Sequence, residues 1–288
     1  MTAVETRRRP AVARGWPAVI GFGVPLAVIV LLAVFAGLLP LQDPNQQNLA
    51  NALLPPGLDT AGGVHHYLGT DQLGRDMLAR MVYGARLSLM IGFVAMFAGA
   101  VPGIILGLVA GYYRGWFDAV VSRLIDAQLA IPFVLLAIAV MATHARSVPV
   151  LIVVLAMFSW APYARVIRAE TLGLREQTFV LSLRSAGVSS LGIVFRHILP
   201  NVAGTAFVLA TLQVGSVMLA ESALSFLGLG VVEPSVSWGA MLADGRDEIV
   251  GAWWIAAFPG LVITVTVLLV NLFGDALRPI LDPRHRGF

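Results

Sequence analysis

Side chains able to do chemistry are few in this 288-residue chain, and their spacing assembles no catalytic set. The histidines are His65, His66, His144, His197 and His285. None sits in His-Glu-x-x-His, and no Gly-x-Ser-x-Gly elbow presents a serine nucleophile. His65 and His66 could share a metal, but adjacent histidines in a hydrophilic segment are more often simply solvated, so no metal site is expected. Ser182 and Ser185 have no base close in sequence. Cysteine is absent, which removes disulfides, thiolate nucleophiles and cysteine-based metal sites. Lysine is absent too: all 19 basic residues are arginine. A P-loop needs its lysine at the β/γ-phosphates. If ATP drives this molecule, ATP and Mg must therefore sit on another chain, and no cofactor is expected on this one. Glu221 is the carboxylate of most interest, because it lies near the end of a long apolar run with Ser225 one turn further on. A carboxylate in such a run is a functional candidate, or it reaches the interface or bonds a neighbouring helix. Both readings stay open.

What must position these residues is a membrane domain. Hydrophobic residues make up 58% of the chain, charged ones 12%, and mean hydropathy is +0.84. A soluble domain is about 45–50% apolar and about 25% charged. The formal charge of +3 is spread between apolar runs, which suits inner-face loops and not a nucleic-acid patch. Apolar runs at 16–39, 87–112, 125–142, 148–163, 202–229 and 253–273 predict an all-α membrane protein of six transmembrane helices. The first run exceeds the roughly 7–15 residues of a secretory h-region and is read as a retained span. With a tail at 1–16 inside, fourteen arginines fall on the inner side and five at or beyond the outer edge. That asymmetry predicts cytoplasmic N- and C-termini. The membrane domain is then 17–288, with an external segment at 41–80 and a cytoplasmic loop at 165–201. In the external segment Asp71 can cap a short helix and pair with Arg75 at i+4. Gly103, Gly107 and Gly111 make small-xxx-small pairs suited to close helix packing, although glycine is common in membrane helices anyway. A short inside loop is expected at 113–123, and Pro132 either kinks the third span or marks its start. Asp126 is expected near Arg123. Trp253 and Trp254 stand where an aromatic belt would lie.

The loop at 165–201 is the longest stretch that is not lipid-soluble. It reads as two short helices broken at Gly187. Phe179, Leu183 and Ala186 share one face of the first, with Thr178, Ser182 and Ser185 on another. Ser190 can cap the second, whose Leu191, Val194, Phe195 and Ile198 share a face, and Pro200 reads as a stop. Such a loop either fits a partner or lies passively on the membrane surface.

Gly187, followed after nine residues by His197-Ile198-Leu199-Pro200, resembles the "EAA" loop of bacterial ABC-importer permeases. Its Glu-Ala-Ala positions hold Leu181, Ser182 and Leu183 here, so the usual acidic partner is missing. Three further segments resemble the dipeptide/oligopeptide/nickel permease family: "LGTDQLGRDMLAR" with "YGARLSL", "ESALSFLGLGVVEPSVSWGAML", and "PGLVITVTVLLVNLFGDALRPILDPR". The resemblance implies a type I ABC-importer permease fold in a bacterial inner membrane, with 17–288 as the permease domain. It implies a heterodimer with a homologous permease, two ATPase subunits carrying ATP and Mg, and an extracytoplasmic substrate-binding protein. ATPase coupling would fall to Leu181, Ser182, Leu183, Ala186, Gly187, Leu191, Phe195, His197, Leu199 and Pro200. The external signature comprises Gly69, Thr70, Asp71, Gly74, Arg75 and Asp76, and the pathway candidates are Glu221, Ser225 and Trp238. Di- or oligopeptides are the expected cargo, with nickel or another small solute as the alternative. A carrier needing no ATPase is disfavoured because the spans lack rows of ionisable residues.

Overall fold

A computed structural model describes residues 11–59, 63 and 65–281, and most of them are helical. Most of the tail at 1–16, with Arg7, Arg8 and Arg9, and also Arg284 and Arg286, lies outside the described residues. The long helices are α1 (Ala11–Val34), α2 (Met77–Tyr113), α5 (Val148–Arg175), α8 (Leu199–Phe226) and α10 (Trp254–Leu281). Between them stand α3 (Gly115–Ala130) and α4 (Phe133–Thr143), then α6 (Thr178–Ser185), the single turn α7 (Ser190–Gly192) and α9 (Trp238–Asp244). Among the described residues five helices are long and apolar enough to cross a membrane, and the pair α3 and α4, bent by 89° at the break, makes a sixth when taken as one span.

The break falls at Pro132, where a kink is one of the two expectations, and the correction concerns the loop expected at 113–123. Residues 115–123 are helical and not a loop, and the helix stops one residue before Pro132. Proline disfavours helical backbone in the residue ahead of it, and Ile131 is extended at φ −86°, ψ 124°. Asp118, in the first turn of α3, is satisfied by Arg168 on α5. Asp126 pairs with Arg165 at 2.9 Å, not with Arg123. α2 also begins earlier than the apolar run suggests, because Asp76 caps it by accepting from the Ala79 amide at 2.7 Å.

α2 and α5 form the central strut. Four glycines on one stripe of α2 face α5. A Cβ on Gly99 would lie 2.5 Å from Ser159 Cβ, one on Gly107 2.8 Å from the Ala164 carbonyl, and one on Gly111 2.7 Å from the Arg168 carbonyl. Gly103 meets the Trp160 backbone in the same way. The small-xxx-small pairs are thus a true close approach of two backbones. Chain direction is set by these contacts. α2 starts beside Thr70 and Asp76 and ends beside Arg175 and Arg184. α10 starts against Thr70, and Gly274 near its end packs on Thr211 of α8. The segment 41–76 and the segment 176–198 therefore lie at opposite ends of the bundle.

Candidate functional site

The segment 176–198 is a handle attached to the ends of α2 and α5. α6 closes in a Schellman motif: the Val188 amide donates to the Leu183 carbonyl (3.1 Å) and the Gly187 amide to that of Arg184 (3.0 Å). Gly187 sits at φ +78° with nothing within 4 Å of a Cβ, so backbone conformation and not space requires glycine. Ser189, rather than Ser190, caps the second helix, accepting from the Gly192 amide at 3.2 Å. The turn Ile193–Ile198 is a π-helix leading straight into α8. Pro200 therefore does not stop a helix. It stands in the first turn of α8, where the π-turn passes into the α-helix.

The π-turn also splits the face expected for the second helix. An i→i+5 turn accommodates an extra residue and rotates the helix beyond it. Ile193, Val194 and Ile198 are buried with Val180, Leu108, Tyr112 and Ile167. Leu191 and Phe195 stay 60% and 43% exposed. On α6 the inward residue is Val180, while Phe179, Leu181, Ser182 and Ala186 are exposed and Leu183 is half-buried. His197 and Leu199 are half-buried, and Pro200 is exposed. Tyr112 holds the handle's base. Its hydroxyl accepts from Arg184 Nε at 3.2 Å, its ring lies 4.8 Å from the Arg184 guanidinium, and its carbonyl accepts from Arg175 at 2.6 Å.

The opposite end is a knot of ion pairs. Asp71 caps no helix. Its Oδ1 accepts from the Leu73 and Arg75 amides at 2.9 Å each, closing a turn, while Oδ2 accepts from Arg75 Nε at 2.6 Å. Arg75 also reaches Glu233 at 2.5 Å, and Arg80 reaches Asp71 at 3.3 Å and Asp244 at 3.1 Å. Bonding to Arg75 holds the Glu233 carboxyl below its usual range, whereas burial pushes that of Asp244 up. Thr70 donates to the Asn51 carbonyl and accepts from the Leu54 amide. Gly69 and Gly74 turn the chain beside Leu54 and Asn48. His66 is not solvated but buried, its Nδ1 2.7 Å from Asp76. Trp254 is no belt residue either: it is buried and donates to the Thr70 carbonyl at 3.0 Å. Among the described residues no group of three or more His, Asp or Glu is arranged to hold a metal.

Glu221, Ser225 and Trp238 come together beside this knot. Glu221 Oε1 accepts from Ser225 Oγ and Ser237 Oγ at 2.9 Å each. Trp238 is buried, its backbone amide donates to Ser88 Oγ and its indole N–H donates to the Met81 carbonyl. Of the two readings of Glu221, the geometry matches the bonded one: it fastens the end of α8 to the start of α9. A cavity of about 410 Å³ lies elsewhere, between α5, α8 and α10 near the handle. Its polar residues Glu170, Asn201, Thr205 and Arg278 were not anticipated. The spacing of Val166, Glu170 and Leu174 on one face of α5 carried the signal.

The fold defines the class first. A chain of the MetNI methionine ABC transporter, solved in inward-facing conformations, superposes with a TM-score of 0.61 at 19% identity, covering 71% of this chain and 97% of that one. This is the type I ABC-importer permease fold expected from the sequence. A family model for the binding-protein-dependent transport system inner membrane component matches residues 103–287, and the chain belongs to that family. It is 40% identical to a dipeptide transport system permease protein of Alkalihalophilus pseudofirmus, over 90% of this chain and 83% of that protein. A di/tripeptide transport system permease protein of Pseudomonas aeruginosa is 40% identical over 91% of this chain and 86% of its own length. A glutathione transport system permease protein of Escherichia coli is 41% identical over 90% and 84%. The chain is accordingly a multi-pass inner-membrane transporter subunit, not an enzyme.

Proposed function

We propose that this chain is one of two homologous permeases in an ATP-driven peptide importer, coupled by its handle to ATPase subunits that bind ATP and Mg. In this reading the handle and both termini face the cytosol, and the ion-paired end receives peptide from an extracytoplasmic binding protein. Closure of the ATPase pair on nucleotide pushes the handle, and the spans swing between inward- and outward-facing arrangements as rigid bodies. The names of the relatives, dipeptide, di/tripeptide and glutathione permeases, favour peptides over nickel.

The observation that carries this reading is the exposed apolar surface of a segment whose base is firmly packed. Val180, Val194 and Ile198 are fully buried, while Leu181 (46% exposed), Leu191 and Phe195 point away from the bundle. Apolar side chains gathered at an exposed site mark a protein contact. With leucine in place of the usual acidic residue at position 181, docking here is apolar and not ionic.

Leu191→Asp tests it, because the side chain is exposed and its loss leaves the bundle intact. In vesicles reconstituted with partner ATPases and binding protein, ATP-dependent uptake of a dipeptide should fall at least tenfold, with the permease still in the membrane at its normal level. Uptake that matches the unmodified protein removes the handle from the coupling path.

A further inference from the structure

The cavity near the handle is lined by two opposite charges that form no ion pair with each other, Glu170 half-buried and Arg278 exposed. Glu170, from α5, has Oε2 buried with no hydrogen-bond partner among the described residues. Arg278, from α10, lines the same cavity and makes no ion pair among the described residues. Asn201 and Thr205 of α8 line it too, with the apolar Val208 and Leu212. Asn201 donates one amide hydrogen to the His197 carbonyl at 2.7 Å, so its side-chain oxygen remains available. Buried polar oxygens are rarely left unpaired in folded proteins, and each that is calls for an explanation. The volume, about 410 Å³, falls within the roughly 300–1,000 Å³ of small-molecule sites.

We infer that this cavity is a subsite for a zwitterionic peptide, in which Glu170 takes the α-ammonium and Arg278 the α-carboxylate. A carboxylate is acceptor-only and accepts from an ammonium's three donors, while a guanidinium fork meets a carboxylate two bonds at a time. The apolar lining supplies contact without selecting a side chain, which suits a carrier of many sequences. Position matters as well. The cavity lies near the handle, on the helix that carries Arg175 at the handle's base, so movement of the handle would reshape the site. This inference rests on the peptide reading above and adds the residues that touch the cargo.

The test uses the assembled importer in lipid nanodiscs, without nucleotide or binding protein, so that the permease alone is read. A hydrophobic carbodiimide labels Glu170, and mass spectrometry tracks the rate. Millimolar alanyl-alanine should slow labelling about threefold, the protection expected when ligand stands at about twice its Kd. N-acetyl-alanyl-alanine, which has no ammonium, should not. In vesicles supplied with saturating binding protein, Glu170→Gln should move about tenfold less alanyl-alanine per ATP hydrolysed, and Glu170→Asp should restore most of it. A carboxyl that never labels, or labels equally with and without dipeptide, overturns the inference. So does Glu170→Gln releasing the second permease on purification, because the carboxylate then serves the subunit contact. If the unmodified importer takes up no dipeptide, the peptide reading fails and takes this subsite with it. If uptake is normal and only protection is lacking, the subsite alone is wrong.

Discussion

The two ends of the bundle are held by different means. At the end formed by 41–76 and α9, charged side chains are paired around a buried interior of Asp71, Arg75, Arg80, His66 and Asp76: Arg75 with Asp71 and the more exposed Glu233, Arg80 with Asp71 and the half-buried Asp244, His66 with Asp76. At the handle end the large apolar side chains Leu181, Leu191 and Phe195 are exposed, and few side-chain hydrogen bonds cross between elements. Buried charges fix geometry, because separating them strands each in a poor dielectric. Exposed apolar groups do the reverse and leave a surface to be completed by something else. The first end resembles a fixed seat and the second an unfinished joint, with the glycine-packed strut of α2 and α5 between them. In the coupling role proposed above, a subunit that passes motion from one end of the bundle to the other needs this asymmetry.

The strongest way to break the contrast is to unpair the seat. Arg75→Ala leaves Asp71 buried with its two backbone amide donors and Arg80, at 3.3 Å, as the remaining cation. Removing one partner of a buried pair costs about 3–5 kcal/mol. The nearby Arg80 puts the expected loss near the low end of that range. Thermal unfolding followed by tryptophan fluorescence in detergent should show a clear fall in Tm. If the loss is under about 1 kcal/mol, the knot does not fix the seat, and the contrast with the handle goes with it.

At the handle the most constrained position is Gly187, and the expected effect is smaller. An alanine there meets open space but must adopt φ +78°, at a cost of about 1–2 kcal/mol. Gly187→Ala should therefore lower stability by less than Arg75→Ala does. Its effect on uptake should exceed its effect on Tm, because the turn aims both helices of the handle. A variant with unchanged uptake and lowered Tm would show that the turn is a fold element and not an aiming device.

How much of this was legible in the sequence depended on how local each interaction is. Long apolar runs gave the spans, the i,i+4 spacing of Asp71 and Arg75 gave their ion pair, and Gly187 marked the break in the handle. Each rests on neighbours within a turn or two. What escaped were residues whose partners are distant in sequence. The loop expected at 113–123 is helical from Gly115 on, with its Asp118 satisfied by Arg168 on another helix. His66 and Trp254 looked like surface residues until Asp76 and the Thr70 carbonyl were brought to them. The π-turn at Ile193–Ile198 was not read from the sequence, and its Ile193, Val194 and Ile198 are buried against residues of α2 and α5 distant in the chain. The cavity was invisible for the same reason: its charges come from α5 and α10, more than a hundred residues apart.

The smallest expected effect separates the rim of the seat from its interior. Glu233 bonds Arg75 at 2.5 Å but keeps 64% of its side chain exposed, unlike Asp71 at 2%. Arg75 holds the Glu233 carboxyl below the usual carboxylate range. A carboxylate with a lowered folded-state pKa adds stability that is present above its unfolded value. That stability is lost as pH falls from the usual carboxylate range through the lowered value. Solvent screens so exposed a pair, and such pairs contribute about 0.2–1 kcal/mol. Glu233→Gln should therefore cost about 0.5 kcal/mol or less at neutral pH. It should cost nothing once acid has protonated the carboxyl in both states, so the Tm curves of the two proteins should converge as pH falls through that window. Curves that stay parallel, or that part at low pH, would mean that Glu233 acts through something other than its charge, and that the seat is held from its interior alone.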